Sequence, residues 1–223
     1  ALRHAISWSH NLLAPQEQVL FRRLAVFVGG FTMTAAQAVA ADIFDSPHDV
    51  ADGIASLLDQ SLVQPVEGTP GHARFGLLET IREFALEHFE SDPDRLAVQS
   101  AHAAYFAGLA RRTVASQSPD QSSASFPLLQ VEHANIRAAL IHAEHRRDLN
   151  NALAMAAALW RFWHHQGYWQ EGNHWLTRLL DQTPSDEIAD PAVWAEAHAG
   201  AGWLAHYQND PARAQRSLDL AAS

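Results

Sequence analysis

The feature that most constrains this chain is a change of period. Between Ala73 and Phe89 (ARFGLLETIREFALEHF) the sequence passes from strand-like to helix-like repetition within a few residues. Arg74, Phe75 and Gly76 follow a turn-rich segment, Glu67 to His72 (EGTPGH), and Leu62, Val63, Pro65 and Val66 lie on its other side. Two short extended runs joined by a Gly/Pro loop predict a β-hairpin. Beyond it Leu77, Leu78, Ile81, Phe84, Ala85 and Phe89 share one face of a helix, and all are expected in the core.

Helices precede this switch. Leu2 to His10 reads as a short helix with Leu2, Ile6 and Trp8 inward. Pro15 suits the first turn of a second, which carries Val19, Leu20, Leu24 and Phe27. Ala14 before it is a poor N-cap. Gly29 and Gly30 end that helix, and Thr32 caps a third that runs to about Ala41. Ser46 and Pro47 start a fourth with Val50, Ile54, Leu57 and Leu58 inward. Helices, then a hairpin, then a helix is the order of a winged helix, expected here over residues 1–91.

Residues 92–147 read as a linking helical region. It opens at Ser91-Asp92-Pro93 and holds a helix from Asp94 to about Ala115 with Leu96, Ala103, Phe106 and Leu109 inward. A serine-rich polar stretch, Ser116 to Ser125, separates it from one helix expected over Phe126 to His145.

From Leu149 the composition shifts, and six of the seven tryptophans lie beyond Leu159. Gly167 to Gly172 (GYWQEG) aligns with Asn209 to Ala214 (NDPARA), an offset of 209 − 167 = 42. Gly202, Ala214 and Ala221 stand at the spacing of the small positions of a tetratricopeptide hairpin. That repeat is about 34 residues long, and a loop insert at Gln182 to Pro191 takes up the surplus. Residues 148–223 are therefore expected to form two tetratricopeptide-like hairpins, with a plain four-helix bundle as the alternative. The expected fold is mainly α: a winged-helix domain with one β-hairpin, then a helical repeat region.

Composition removes several function classes. The chain has 223 residues, 48% of them hydrophobic, enough for a core. Without cysteine it has neither a disulfide framework nor a thiolate metal site. No apolar run is long enough to span a membrane, and no secretory signal opens the chain. It starts at Ala1 in mid-helix, which reads as a piece of a longer cytoplasmic protein. All 15 basic residues are arginine, against 25 carboxylates, for a net charge of −10.

The segments SWSHNLLAPQEQVLFRRLAVFVGGFT, LLDQSLV and FGLLETIREFALEHF, in that order, resemble the region after the nucleotide-binding domain of bacterial STAND-type ATPase regulators. These are relatives of the NB-ARC proteins and of MalT/LuxR-like activators. The likeness continues through HAAYFAGLA, VEHANIRAALIHA and ALWRFWHHQGYWQEGNHWL, and so covers most of the chain. It implies a winged helix packed on an upstream nucleotide-binding domain in cis, with helical repeats as the sensor. It also implies ATP or ADP as cofactor of the parent protein and a DNA-binding domain elsewhere on it. NB-ARC relatives carry a Met-His-Asp triplet whose histidine contacts the nucleotide. The matching positions here are Leu77, Leu78 and Glu79, and Leu78 cannot donate a hydrogen bond to phosphate. Leu78, Glu79 and Arg82 are then the candidates for contact with the nucleotide domain.

No catalytic constellation stands out. A phosphate-binding loop needs a lysine, and the chain has none. Among 14 histidines, His142 and His145, and His164, His165 and His174, are clustered in sequence. None forms His-Glu-x-x-His, so solvated helix faces are expected and no metal site. No Gly-x-Ser-x-Gly elbow occurs. The expectation is a non-enzyme with no cofactor of its own.

Residues 1–90 hold five arginines against eleven carboxylates, a net of −6. The helix expected over Pro47 to Gln60 carries Asp49, Asp52 and Asp59 and no base. Because phosphate neutralisation supplies much of the affinity for duplex DNA, direct nucleic-acid binding is not expected, nor is a membrane partner.

With Trp160 and Gly202 as equivalent small positions, the groove-facing set falls on Arg161, His164 and His165, and on Glu196, Trp203, His206 and Tyr207. Their mix of aromatic, cationic and imidazole groups suits a protein segment or a small polar effector. Trp160 is large where a small residue is preferred, so the first repeat is expected to pack loosely. The function expected is the coupling and sensing arm of a STAND-type signalling ATPase. The alternative is a free-standing winged-helix and repeat scaffold.

Overall fold

Two helices of the first half start at side chains that cap them. In the computed structural model, which describes residues 2–44, 46–68, 73–115, 126–184 and 189–222, α1 spans Leu2–Leu12 and α2 spans Pro15–Leu24. The carboxylate of Glu17 accepts from the Ala14 N–H at 2.7 Å, which covers for the absent side-chain cap at Ala14. After strand β1 (Phe31–Thr32), Thr32 caps α3 (Met33–Val39), its hydroxyl accepting from Ala35 N at 3.2 Å. Ser46 caps α4 (Pro47–Asp59) and Asp49 reaches back to the Ser46 N–H at 3.1 Å, a reciprocal capping box.

The chain packs as two units, Ala1–Tyr105 and Phe106–Ser223. In the first, β2 (Gln64–Pro65) and β3 (Arg74–Gly76) make the expected hairpin, and β1 adds a third strand. The order is β1-β3-β2, antiparallel throughout, with Phe31 opposite Phe75 and Pro65 opposite Phe75 on the other side. β1 is two residues long, too short to show a period in the sequence. It is held by chemistry particular to that spot. Gly30 has φ +106°, and a Cβ there would lie 2.7 Å from the Phe75 carbonyl oxygen. The guanidinium of the buried Arg74 donates to the carbonyls of Gly29 and Gly30 at 3.3 and 3.0 Å. Residues 69–72, the tip of the expected turn, lie outside the described residues.

The core of this unit joins Leu20, Phe21 and Leu24 of α2 to Ile54 and Leu57 of α4 and to Ile81, Phe84 and Phe89 of α5 (Glu79–Glu90). Leu78 departs from the expected core: it is the residue before α5 and is 50% exposed. Its φ and ψ of −59° and 146° are extended, so the helical phase begins one residue later. Leu2 and Trp8 are also exposed, because α1 turns Ile6 inward.

α6 spans Arg95–Ala115. Its buried stripe is Val98, His102, Phe106 and Ala110, a spacing of four, while Leu96 is exposed. In the second unit the helix expected over Phe126 to His145 is divided into α7 (Phe126–Val131) and α8 (His133–His145). Glu132 at the break is buried, and Asn135 donates to its carboxylate at 2.8 Å. The stretch Ser116 to Ser125 lies outside the described residues, as do residues 185–188 within the loop insert.

Four helices complete the unit: α9 (Leu149–Gln166), α10 (Trp169–Gln182), α11 (Pro191–Tyr207) and α12 (Pro211–Ala221). α11 starts 191 − 149 = 42 residues after α9, and α12 starts 211 − 169 = 42 after α10. Gly167, at φ +75°, ends α9, while Asp190 and Asp210 cap α11 and α12. Small residues bring the helices together. A Cβ at Gly202 would lie 2.8 Å from Leu218, and one at Gly172 2.7 Å from Leu204 and Trp163. Trp160 does not loosen the first hairpin: Gly200 of α11 receives it, with 2.7 Å between a Cβ placed there and the Trp160 side chain. The bulk at one position is matched by its absence at another.

Candidate functional site

Two faces merit attention, one in each unit. In the second, α9 and α11 lie side by side and bring most of the expected groove residues together. Arg161 pairs with Glu196, and the same carboxylate accepts from the Trp160 indole N–H at 2.5 Å. The Arg161 guanidinium also lies 4.3 Å from the centre of the Trp160 ring. Further along, the His164 and Tyr207 rings are 4.5 Å apart, with Trp169 5.4 Å from Tyr207. The Trp169 indole N–H donates to the His164 carbonyl at 3.0 Å, which fixes that ring. His206 continues the row at 5.6 Å from Tyr207, and Trp203 follows at 6.5 Å from His206. Trp203 and Tyr207 are 47% and 43% exposed, so the row offers aromatic area to solvent. His165 leaves the set, packing at 4.8 Å on Phe126 of α7. Trp160 and Trp169 were absent from the expected set. A groove assignment by repeat position places only one helix of each hairpin, and Trp169 belongs to the other.

Arg82 is no free phosphate ligand. Its guanidinium donates to the Phe27 carbonyl at 2.9 Å and lies 3.8 Å from Glu79. Leu78 and Glu79 are exposed beside it. Several histidines are not on solvated faces. His102 is buried, 5.3 Å from the Phe27 ring. His10 stacks on His88 at 5.1 Å, and its pKa is pushed below the ordinary value by burial and by that neighbour. His198, beside Trp194, is likewise held low by burial. Among the described residues no three His, Cys, Asp or Glu side chains gather as a metal site. No described helix is long and apolar enough to cross a membrane.

The face in the first unit is the outer side of α4, which packs against α3. α4 buries Val50, Gly53, Ile54 and Leu57 and turns His48, Asp52, Ala55 and Asp59 outward. Gly53 is needed for that fit, since a Cβ there would lie 2.8 Å from Leu20. A packed helix pair, α3 and α4, followed by a strand hairpin is the element order of a winged helix. Residues 13–90 match the family described as a winged helix-turn-helix domain. The chain contains such a domain.

The comparison with known proteins extends further. The chain is 35% identical over 204 residues, 91% of its length, to a Mycobacterium tuberculosis protein named as a putative HTH-type transcriptional regulator. A Mycobacterium bovis protein of the same printed description matches equally. A Mycobacterium tuberculosis protein named only as uncharacterized is 39% identical over 94 residues, 42% of this chain and 24% of its own. The chain spans about a quarter, 23%, of the length of the first two relatives. No solved structure matches it.

These findings overturn one expectation. Direct nucleic-acid binding was excluded on charge, yet residues 13–90 have the winged helix-turn-helix fold and the relatives carry the name of HTH-type regulators. Pairing removes charges of both signs, so the total over the domain does not describe the face a duplex meets. Arg23 is buried and paired with Asp42 and Asp94. Glu17 and Asp49 are spent on helix starts, and Glu79 and Glu87 on Arg82 and Arg3. What a duplex meets is the shape and polarity of one presented face, which a whole-domain total does not describe.

Proposed function

We propose that this chain is a non-catalytic regulatory segment of a transcriptional regulator. The helical hairpins α9–α12 take a protein segment or small polar effector, and the winged domain passes the event on. The observation that supports this most directly is the exposed row Trp203, His206 and Tyr207, continued by His164 and the Arg161–Glu196 pair. Aromatic faces and a guanidinium are the groups that dominate binding energy at protein interfaces. The resemblance to STAND-type regulators supports an upstream nucleotide-binding domain, with ATP or ADP, as the recipient; Leu78 and Glu79, exposed at the start of α5, suit that contact. On this reading the segment itself holds no cofactor, and the protein acts in the cytoplasm.

The experiment is the double change Arg161→Ala with Trp203→Ala in the full-length protein. Loss of effector response or partner capture with an unchanged melting profile supports the reading. An unchanged response with an intact fold removes it.

A second reading, that the winged domain itself binds DNA, is favoured by the domain match over residues 13–90. Mobility shift with fragments of the source genome tests it. A salt-sensitive complex at micromolar protein supports it, and no complex with any fragment at low salt removes it.

A further inference from the structure

The second unit has a depression that the α9–α11 face does not use. It consists of two adjoining cavities of about 520 and 420 Å³ that share Thr177, Asp181 and Arg213. α10 forms one wall, α12 the other, and Ala201 and His198 of α11 line it between them.

Its chemistry is unlike that of the chain as a whole. The protein carries a net −10, yet three of its 15 basic residues, Arg178, Arg213 and Arg216, line this one depression. Arg178 is occupied by the buried Glu144 carboxylate, which also accepts from Gln182 at 2.7 Å. The Arg213 and Arg216 guanidiniums make no ion pair or hydrogen bond among the described residues. Of the two carboxylates present, Asp210 is engaged in capping α12, accepting from Arg213 N at 3.0 Å. Asp181 forms no ion pair with either arginine. Two guanidiniums therefore stand on the α12 wall without a direct carboxylate partner among the described residues.

The other wall offers fixed amides. The buried Asn173 donates to the Gln208 side-chain carbonyl at 2.7 Å, and the Thr177 hydroxyl donates to Asn173 at 3.2 Å. Thr177 thereby orients Asn173, and Asn173 orients Gln208, which lines the depression and whose own NH₂ makes no hydrogen bond among the described residues. Amide donors on one side and guanidiniums on the other match a peptide main chain that carries carboxylate side chains.

We propose that the trough between α10 and α12 is a second binding site, which takes a short acidic peptide segment. The site is separate from the α9–α11 face and independent of the function proposed for it. Asp181 decides against a polyphosphate or nucleic-acid strand: its carboxylate would oppose a continuous line of phosphates, whereas a peptide can place its acidic side chains on the α12 side alone.

The test is fluorescence anisotropy of a labelled eight-residue peptide, (Ser-Glu)₄, titrated with the 223-residue chain. Saturable, salt-sensitive binding is expected. Arg213→Ala with Arg216→Ala should weaken it about tenfold or more, the loss typical of charge-assisted contacts. The uncharged peptide (Ser-Gln)₄ should bind correspondingly less. Arg161→Ala with Trp203→Ala should leave binding unchanged, which keeps this site distinguishable from the α9–α11 face. Melting curves show whether each variant is folded, and Arg213→Lys, retaining the charge, should recover part of the affinity. Absence of saturable binding overturns the proposal, as does binding indifferent to both arginines. Displacement by equimolar inorganic phosphate would make it a simple anion site and overturns the peptide assignment.

Discussion

Single side chains decide how tightly these helices fit. Phe84 is 7% exposed and sits 6.3 Å from Phe21 and 4.6 Å from His88, closing the core between α2 and α5. Phe84→Ala should cost about 3–5 kcal/mol, the usual range for truncating a buried aromatic residue, and lower the urea midpoint accordingly. A loss under about 0.5 kcal/mol would show that the stripe is not core. Ile81 and Phe84 were legible because helical spacing places them on one face with Phe89. Leu78 was not, since a hydrophobic residue just before a helix shares its pattern but not its backbone. Gly200 makes the converse test. A methyl there would enter the Trp160 side chain, so Gly200→Ala should cost about 1–3 kcal/mol as overpacking. Trp160→Leu in the same background should recover part of it if that contact is the cause. Thermal melts of the two variants and their combination measure the coupling. The complementarity of these residues lay beyond the reach of repeat alignment, which pairs Trp160 with Gly202 and says nothing of the neighbouring helix.

Elements were readable where a start signal and a long period agreed. α2 and α4 begin at Pro15 and Pro47, as those first-turn prolines indicate, and α9 to α12 keep the 42-residue offset. β1 was hidden because two residues have no period; its place is set by Gly30 and Arg74, which act across the sheet rather than along the chain. The buried side of α6 was misjudged for a related reason: His102 belongs to its stripe and Leu96 does not, so hydrophobicity alone gives the wrong phase. The weak start of α2 leads to a direct prediction. Glu17 serves the Ala14 N–H, but no side chain at Ala14 accepts from the first-turn amides. The extended backbone of Ala14, φ −63° and ψ 154°, is already that of an N-cap. Ala14→Ser or Ala14→Asp should therefore stabilise by roughly 1 kcal/mol, read as a rise in the urea midpoint with unchanged slope. No rise would mean that the Glu17 contact already satisfies that helix end.

At the scale of the whole molecule, the legible part of function was the order of helices and wing; the illegible part was which charges remain at the surface once folded. The same redistribution governs the response to acid. Burial pushes His10, His142 and His198 below the ordinary histidine pKa of 6.5; charged neighbours reinforce this at His10 and His142, while Asp181 partly offsets it at His198. Each then binds fewer protons folded than unfolded. As pH falls through 6.5 the unfolded chain takes up protons that the native state refuses, so stability declines until the lower folded values are passed. A second decline has the opposite origin. The hydrogen bond from Arg23 holds Asp42 below its ordinary value of 3.8. Burial alone would raise Glu144, but hydrogen bonds from Gln182 and Arg178 outweigh it and hold it below 4.5. Both carboxylates stabilise the fold above those ordinary values, and their contribution is lost as pH falls through the lower folded ones. Urea midpoints at pH 7.5, 6.5, 5.5, 4.5 and 3.5 should thus fall in two stages, the first below about 6.5. His198→Asn, which keeps a polar side chain without titrating, should shrink the first stage by the share of one of the three histidines and leave the second. A midpoint level from pH 7.5 to 5 would mean that these imidazoles reach solvent in the folded protein.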